Sequence, residues 1–280
     1  MSNGNLEQYE FWEELAPGWI ASVPHTERVS APFGDGAMDR LSLRPGLTVL
    51  DVGCGSGSTT LELARRVGPD GRATGVDIAP TMIAEAVKRA ATAQVDNISF
   101  LAADAQVEPF EPATFDAIYS RFGVMFFADP KLAFTNLRRA LRPGGVLAFA
   151  CWENIFLNEW MFVPGAAVVS VTGSLPAIPG PGEPGPFSLA ERTVLESVLS
   201  DAGFGSVEVT SQAETATFEG SEIDSLLALS RRVGPVREAL RTASAEVAEQ
   251  IMTAVRSALL DRAVDGVVTL SSAAFIVSAR

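Results

Sequence analysis

Apolar residues fall along this chain in short runs, separated by longer stretches in which they recur every three or four positions. The runs near Thr48–Val52, Arg72–Val76, Ile98–Ala102, Ala117–Ser120 and Val146–Cys151 predict strands. Between them Ser58–Val67, Pro80–Ala93 and Lys131–Leu141 predict helices. In the second, Met82, Ile83, Ala86, Val87 and Ala90 share one stripe, the spacing of a helix laid on a sheet. Pro45-Gly46, Pro69-Asp70-Gly71 and Pro143-Gly144-Gly145 punctuate the boundaries. Such alternation predicts an α/β fold with a mostly parallel sheet and helices on both faces.

Later the pattern changes. Leu189–Ala202 predicts a helix stopped by Gly203-Phe204-Gly205, and Val207–Phe218 and Val267–Ala279 predict two further strands. Between those strands Val236, Leu240, Ala243, Val247, Ile251, Val255 and Leu259 trace one long helical insertion. Phe11, Trp12, Leu15 and Trp19 mark a short amphipathic helix before the first strand, and Pro176–Pro186 predicts a loop. The expected organisation is a helical lid over 1–44, a ligand-binding core over 45–152 and a loop or lid insertion over 153–188. Residues 189–280 then complete the sheet, with a helical insertion near 220–265. Ligands of open α/β sheets sit beyond the carboxyl ends of the strands, so the segments without a place in the sheet are expected to cap that edge.

Composition narrows the partners. A formal charge of −13 with no basic run argues against nucleic acid and against an anionic membrane surface. Cys54 and Cys151 make neither a disulfide framework nor a metal-ligand set, so no metal is expected. No uncharged apolar run nears the ~20 residues of a membrane span, and the polar stretch Met1–Glu14 lacks a signal-peptide pattern. The expectation is a cytoplasmic monomer or homodimer with a small-molecule substrate.

Chemistry concentrates in Asp51-Val52-Gly53-Cys54-Gly55-Ser56-Gly57, which follows an apolar strand and opens a helix. Alternate glycines let the backbone turn tightly and leave no side chain between it and a ligand. Dinucleotide enzymes seat a pyrophosphate on a similar turn, spaced GxGxxG. Here the spacing is GxGxG, and Asp51 would repel a pyrophosphate while suiting an ammonium, directly or through water. Both details favour S-adenosylmethionine (SAM). Asp77, 26 residues on, ends the next predicted strand, where an acid accepts from ribose hydroxyls; capping the following helix is the plainer alternative. Asp104-Ala105-Gln106 follows the third strand, where a carboxylate can accept from an adenine amine.

Together these residues resemble the motifs of class I SAM-dependent methyltransferases, strongly over residues 46–152. Phe115-Asp116-Ala117-Ile118-Tyr119-Ser120-Arg121 and Leu141-Arg142-Pro143-Gly144-Gly145 are similar to the ubiquinone/menaquinone-biosynthesis-like small-molecule branch. The resemblance implies a Rossmann-like seven-stranded sheet with one antiparallel late strand, a mostly helical cap, and SAM lined by Gly53, Gly55, Asp77, Ile78, Asp104, Ala105 and Ser120. Asp51, Cys54, Gly57, Met82 and Gln106 complete the candidate cofactor set. Ser120-Arg121-Phe122 is not the Asn/Asp-Pro-Pro-Tyr/Phe of amide- or adenine-directed enzymes.

For the methyl acceptor, Trp19, Arg121, Phe122, Met125, Phe126, Trp152 and Trp160 are the candidate pocket, which favours an apolar or aromatic molecule methylated on oxygen or carbon. Core packing is the alternative for each aromatic singly. Arg121 can bind a substrate carboxylate or phosphate. The lone histidine, His25, is the weak candidate for a catalytic base; a loop histidine in solvent or capping a helix is the favoured reading. Three rivals stand: a cyclase or hydroxylase on the same scaffold, a dinucleotide-dependent oxidoreductase, and a non-catalytic SAM sensor.

Overall fold

The computed structural model describes residues 5–174 and 178–280. Pro176 and Ala177 of the expected loop and Met1–Gly4 of the N-terminal segment lie outside the described residues. The central strands β1 (Thr48–Val52), β2 (Arg72–Asp77), β3 (Ile98–Ala102), β4 (Phe115–Arg121) and β5 (Leu141–Trp152) are parallel. Two long strands, β6 (Val207–Glu219) and β8 (Val267–Ala279), follow, with the two-residue β7 (Ala263–Val264) beside β8. Spatial order is β3-β2-β1-β4-β5-β8-β6, with β8 antiparallel to both neighbours. The chain order reverses between β1 and β4, the switch point at which an open sheet leaves a crevice.

Helices α2 (Ser58–Val67) and α3 (Pro80–Ala93) match their predicted spans and pack on the β1–β3 end of the sheet. Met82, Ala86 and Ala90 are buried as the stripe requires, while Val87 is exposed. Helix α4 (Pro130–Ala140) packs on β5, its N-terminus capped by Asp129, whose carboxylate accepts from the Leu132 N–H at 2.9 Å. Strand β5 starts earlier than its apolar run. Pro143-Gly144-Gly145 lies inside it, in a bulge where Asp116 alone faces residues 142–145 between the pairs Phe115–Leu141 and Ala117–Val146. Leu50, Ile118, Tyr119, Leu147 and Phe149 are fully buried in the middle of the sheet.

Three expectations outside the sheet need correction. The short N-terminal helix is α1 (Leu6–Asp39), 34 residues that run through Pro17, Pro24 and Pro32. Each proline removes one intrahelical hydrogen bond and crowds the preceding turn. Contacts with α3, β4, β5, β8, β6 and α7 (Ile223–Ser230) hold the helix across those weak points. Second, the 153–188 segment contains α5 (Glu159–Thr172), which packs on β8 and on α9 (Ala245–Leu260). Third, the single insertion is three helices, α7 (Ile223–Ser230), α8 (Gly234–Thr242) and α9 (Ala245–Leu260). Ser244 breaks the run because its hydroxyl accepts from the Val247 N–H at 3.3 Å and starts α9 afresh. The helix expected over Leu189–Ala202 is α6 (Arg192–Asp201). Among the described residues, no helix is long and apolar enough to cross a membrane, and no cluster of His, Cys, Asp and Glu could hold a metal ion.

Candidate active site

Beyond the carboxyl ends of β1, β2, β3 and β4, and under α1, lies a cavity of about 230 Å³. On one side its wall is mostly backbone. Gly53 turns at φ 67°, and a Cβ there would stand 2.8 Å from the Gly123 Cα, so the turns after β1 and β4 approach this closely only because both residues are glycine. Gly55 also has a positive φ, 53°, but nothing stands within 4 Å of where its Cβ would be. That open position fits a ligand approaching the turn. Gly57 precedes α2 and packs against Ala86.

Asp77 lines the cavity at the end of β2. One carboxylate oxygen accepts from the Gly55 N–H at 2.8 Å and the other from the Ala79 N–H at 3.0 Å. It thus fixes the glycine turn and leads into α3 while still facing the cavity; burial pushes its pKa up. At the end of β3, Oδ1 of Asp104 accepts from the Gln106 N–H and from the Asn5 side-chain amide, both at 2.9 Å. Its Oδ2 is buried with no partner. A buried acceptor left empty is costly, so a ligand donor at this point is what the wall lacks. Cys54, Ile78, Met82 and Ala105 line the same half; burial raises the Cys54 thiol's pKa well above its ordinary value, which makes it inert.

Four candidates do not line the cavity: Asp51, Gly57, Gln106 and Ser120. They hold the loops that do. Asp51 is buried behind the glycine turn, where Oδ2 accepts from Thr60 at 2.6 Å and Thr59 at 2.7 Å. Its Oδ1 has no partner, and burial lifts its pKa to about 6, against the pull of those two hydroxyls. Asp51 therefore stands behind the turn and not on the cavity wall. Ser120 donates to the Val52 carbonyl at 2.7 Å and ties the end of β4 to the end of β1. Gln106 accepts from the Asp129 N–H at 2.8 Å.

The other half is built of side chains. Phe122 holds a left-handed backbone, φ 62°, an uncommon state for a bulky residue. Its ring stacks on Trp152, with centroids 3.8 Å apart and planes 13° apart. Phe33 of α1 meets both edge-on, and Trp160 leans on Trp152 at 5.4 Å. Trp12 sets its edge against Phe126 at 4.8 Å and Trp19 at 5.5 Å. Met125 receives the Trp152 backbone N–H on its sulfur at 3.3 Å. The Trp160 indole N–H is buried without a partner.

Arg121 lines this half but is not free to take an anion. Its guanidinium donates two bonds to Glu27 of α1, at 2.6 and 2.7 Å. Burial lowers its pKa and the Glu27 contact more than restores it, so the guanidinium stays charged. His25, expected as a loop residue, sits inside α1 and does not line the cavity. It lies near Glu222, whose carboxylate is held by Arg28. Sequence spacing gave no sign of Asn5, Gln8 or Glu27, all on the cavity wall. Each is placed by a long helix whose partners lie about a hundred residues on.

The strand order, the GxGxG turn after β1 and the acid ending β2 resemble those of class I SAM-dependent methyltransferase domains, which bind SAM. Residues 49–145 match the methyltransferase domain family. Over 110 residues the chain is 36% identical to demethylmenaquinone methyltransferase of Staphylococcus aureus (strain JH9). That alignment covers 39% of this chain and 45% of the relative, so the chain spans about half the length of the curated relatives it matches. Among solved structures, the YcgJ protein of Bacillus subtilis superposes with a TM-score of 0.56 at 18% identity, covering 86% of this chain and 94% of that one. Phosphoethanolamine N-methyltransferase 2 of Haemonchus contortus, in complex with SAM, gives a TM-score of 0.53 at 19% identity over 88% of this chain and 52% of that one.

Proposed function

We propose that the protein transfers a methyl group from SAM to oxygen or carbon of a small apolar or aromatic molecule. The observation that carries this reading is the unpartnered Asp104 Oδ2, buried in a cavity wall that also holds Asp77 and the open face of Gly55. Asp104 is suited to accept from an adenine amine and Asp77 from ribose hydroxyls. SAM, when bound, supplies an electrophilic methyl on a sulfonium. The protein's part is positioning and exclusion of water, which together are worth up to ~7–11 kcal/mol of barrier. Phe122, Trp152, Phe126 and Trp160 make that half of the cavity apolar, and the Trp160 N–H suits an acceptor that carries an oxygen. Glu27 neutralises Arg121, so an anionic anchor group on the acceptor is disfavoured.

Titration calorimetry with SAM tests the cofactor half. Asp77→Ala should bind SAM more weakly by ~1.5–3 kcal/mol, the worth of charge-assisted hydrogen bonds, without unfolding. Unchanged affinity would refute the ribose assignment. Methyl-labelled SAM tests the chemistry: transfer of label with release of S-adenosylhomocysteine is expected, whereas unlabelled product would favour the cyclase or hydroxylase reading.

A further inference from the structure

We propose that Gln8, in the first turn of α1, reads the adenine of the cofactor along its N6/N7 edge, so that the N-terminal helix forms part of the cofactor site. The proposal rests on the SAM reading above. Among the described residues, six buried side-chain atoms lack a partner, and three belong to residues on the cavity wall: Asp104 Oδ2, Gln8 Oε1 and Trp160 Nε1. Two of these, Gln8 and Asp104, sit at the same end of the cavity.

Their proximity follows from Asn5. The Asn5 amide donates to Asp104 Oδ1 at 2.9 Å, and the Asn5 carbonyl oxygen accepts from the Ala128 N–H at 3.3 Å. This pins the start of α1 over the turn after β3 and the approach to α4. Gln8 comes three residues later, and positions three apart on a helix are neighbours on one face. One turn further, Trp12 lies against Phe126. Gln8 therefore leaves α1 within one turn of Asn5 and of Trp12 on the cavity wall, and its buried oxygen meets no donor.

Adenine offers what both residues lack. Its exocyclic amine has two N–H donors, and the neighbouring N7 is an acceptor. Asp104 Oδ2 can take one N–H. The Gln8 carboxamide can take the other on Oε1 and donate from Nε2 to N7, the two-point match that lets glutamine recognise adenine in other settings. A carboxylate at this position could accept but not donate, and an apolar side chain could do neither.

The test is calorimetry of S-adenosylhomocysteine and its 7-deaza analogue, which replaces N7 by C–H, against wild type, Gln8→Leu and Gln8→Glu. Wild type should bind the parent nucleoside about 10-fold more tightly than the 7-deaza compound, the worth of one good hydrogen bond. In Gln8→Leu the parent should weaken about 10-fold, with the preference over the analogue falling to about one. Gln8→Glu, nearly the same shape, should also lose the preference because it cannot donate to N7. An undiminished preference in either variant, or no preference in wild type, overturns the assignment. Failure of wild type to bind S-adenosylhomocysteine at all would instead remove the SAM reading, and this inference with it.

Discussion

The two halves of the cavity are made by different means. The cofactor half is a set of strand-to-helix connections: residues 51–57 after β1, 77–79 after β2 and 104–106 after β3. Most of its hydrogen bonds close within one connection or reach the adjacent one, as Asp51 to Thr59 and Asp77 to Gly55 do. The acceptor half gathers side chains from α1, β4, β5 and α5, and its one ion pair joins residues 94 positions apart. A backbone turn tolerates few alternatives. An aromatic wall can be refilled with other side chains while the turn beside it is untouched, so one half can fix the donor as the other changes acceptor.

Trp152→Ala gives the comparison its hardest test. Trp152 is 6% exposed, stacked on Phe122 and touched by Phe33 and Trp160, so truncation opens a cavity with no obvious collapse. Loss of a buried tryptophan costs ~3–5 kcal/mol, to be read as a shift in the denaturant midpoint. SAM affinity should stay within about twofold, since no cofactor-half hydrogen bond involves this ring. A tenfold loss of SAM affinity would show that the halves are one unit.

The same difference decides what the sequence could show. β1, α2, α3 and β3 were legible to the residue because apolar runs, glycine turns and the helical stripe all act within about ten positions. Helix α1 was not. Pro17, Pro24 and Pro32 are local reasons to stop a helix, and what overrides them is distant: Arg121 on Glu27, the Tyr119 hydroxyl on the Gly34 carbonyl at 3.0 Å, Thr81 on Glu13. Helix α5 hid for another reason. Its sequence, with Pro164 and Gly165 in the middle, is apolar on most sides and so shows no stripe. Asp77 and Asp104 could be expected on the cavity wall because each follows a strand at the carboxyl edge of the sheet, whereas Asn5 and Gln8 look like any polar helix start.

A mid-sized effect probes the buried carboxylate behind the turn. Asp51 is 1% exposed, with a pKa raised from 3.8 to about 6. The folded state thus holds this proton more tightly than the unfolded state does. Its contribution to stability is fully present below about pH 4 and is lost as pH rises through about 6, where the buried charge weighs fully against folding. A gap of that size between the folded and unfolded pKa is worth about 3 kcal/mol. Asp51→Asn, which keeps an oxygen for Thr59 and Thr60, should therefore gain stability relative to wild type by up to that amount as pH climbs from 4 to 6. Thermal unfolding of both proteins across that range measures it; a pH-independent difference would mean the carboxylate is not carrying a raised pKa.

The smallest expected effect falls on the residue that chemistry alone singled out. An imidazole acting as general base contributes ~10²–10⁴-fold to turnover. His25 is on α1 but off the cavity, on the side of Glu222 and Arg28. His25→Ala should leave the turnover of the acceptor found with labelled SAM within about twofold, with stability within ~0.5 kcal/mol, as for a surface position. Positioning by the aromatic wall then has to suffice for the acceptor, with no base on the lid helix. A hundredfold loss at this position would instead mean that α1 rotates during turnover and brings His25 inward, and the acceptor half would be a moving element rather than a packed wall.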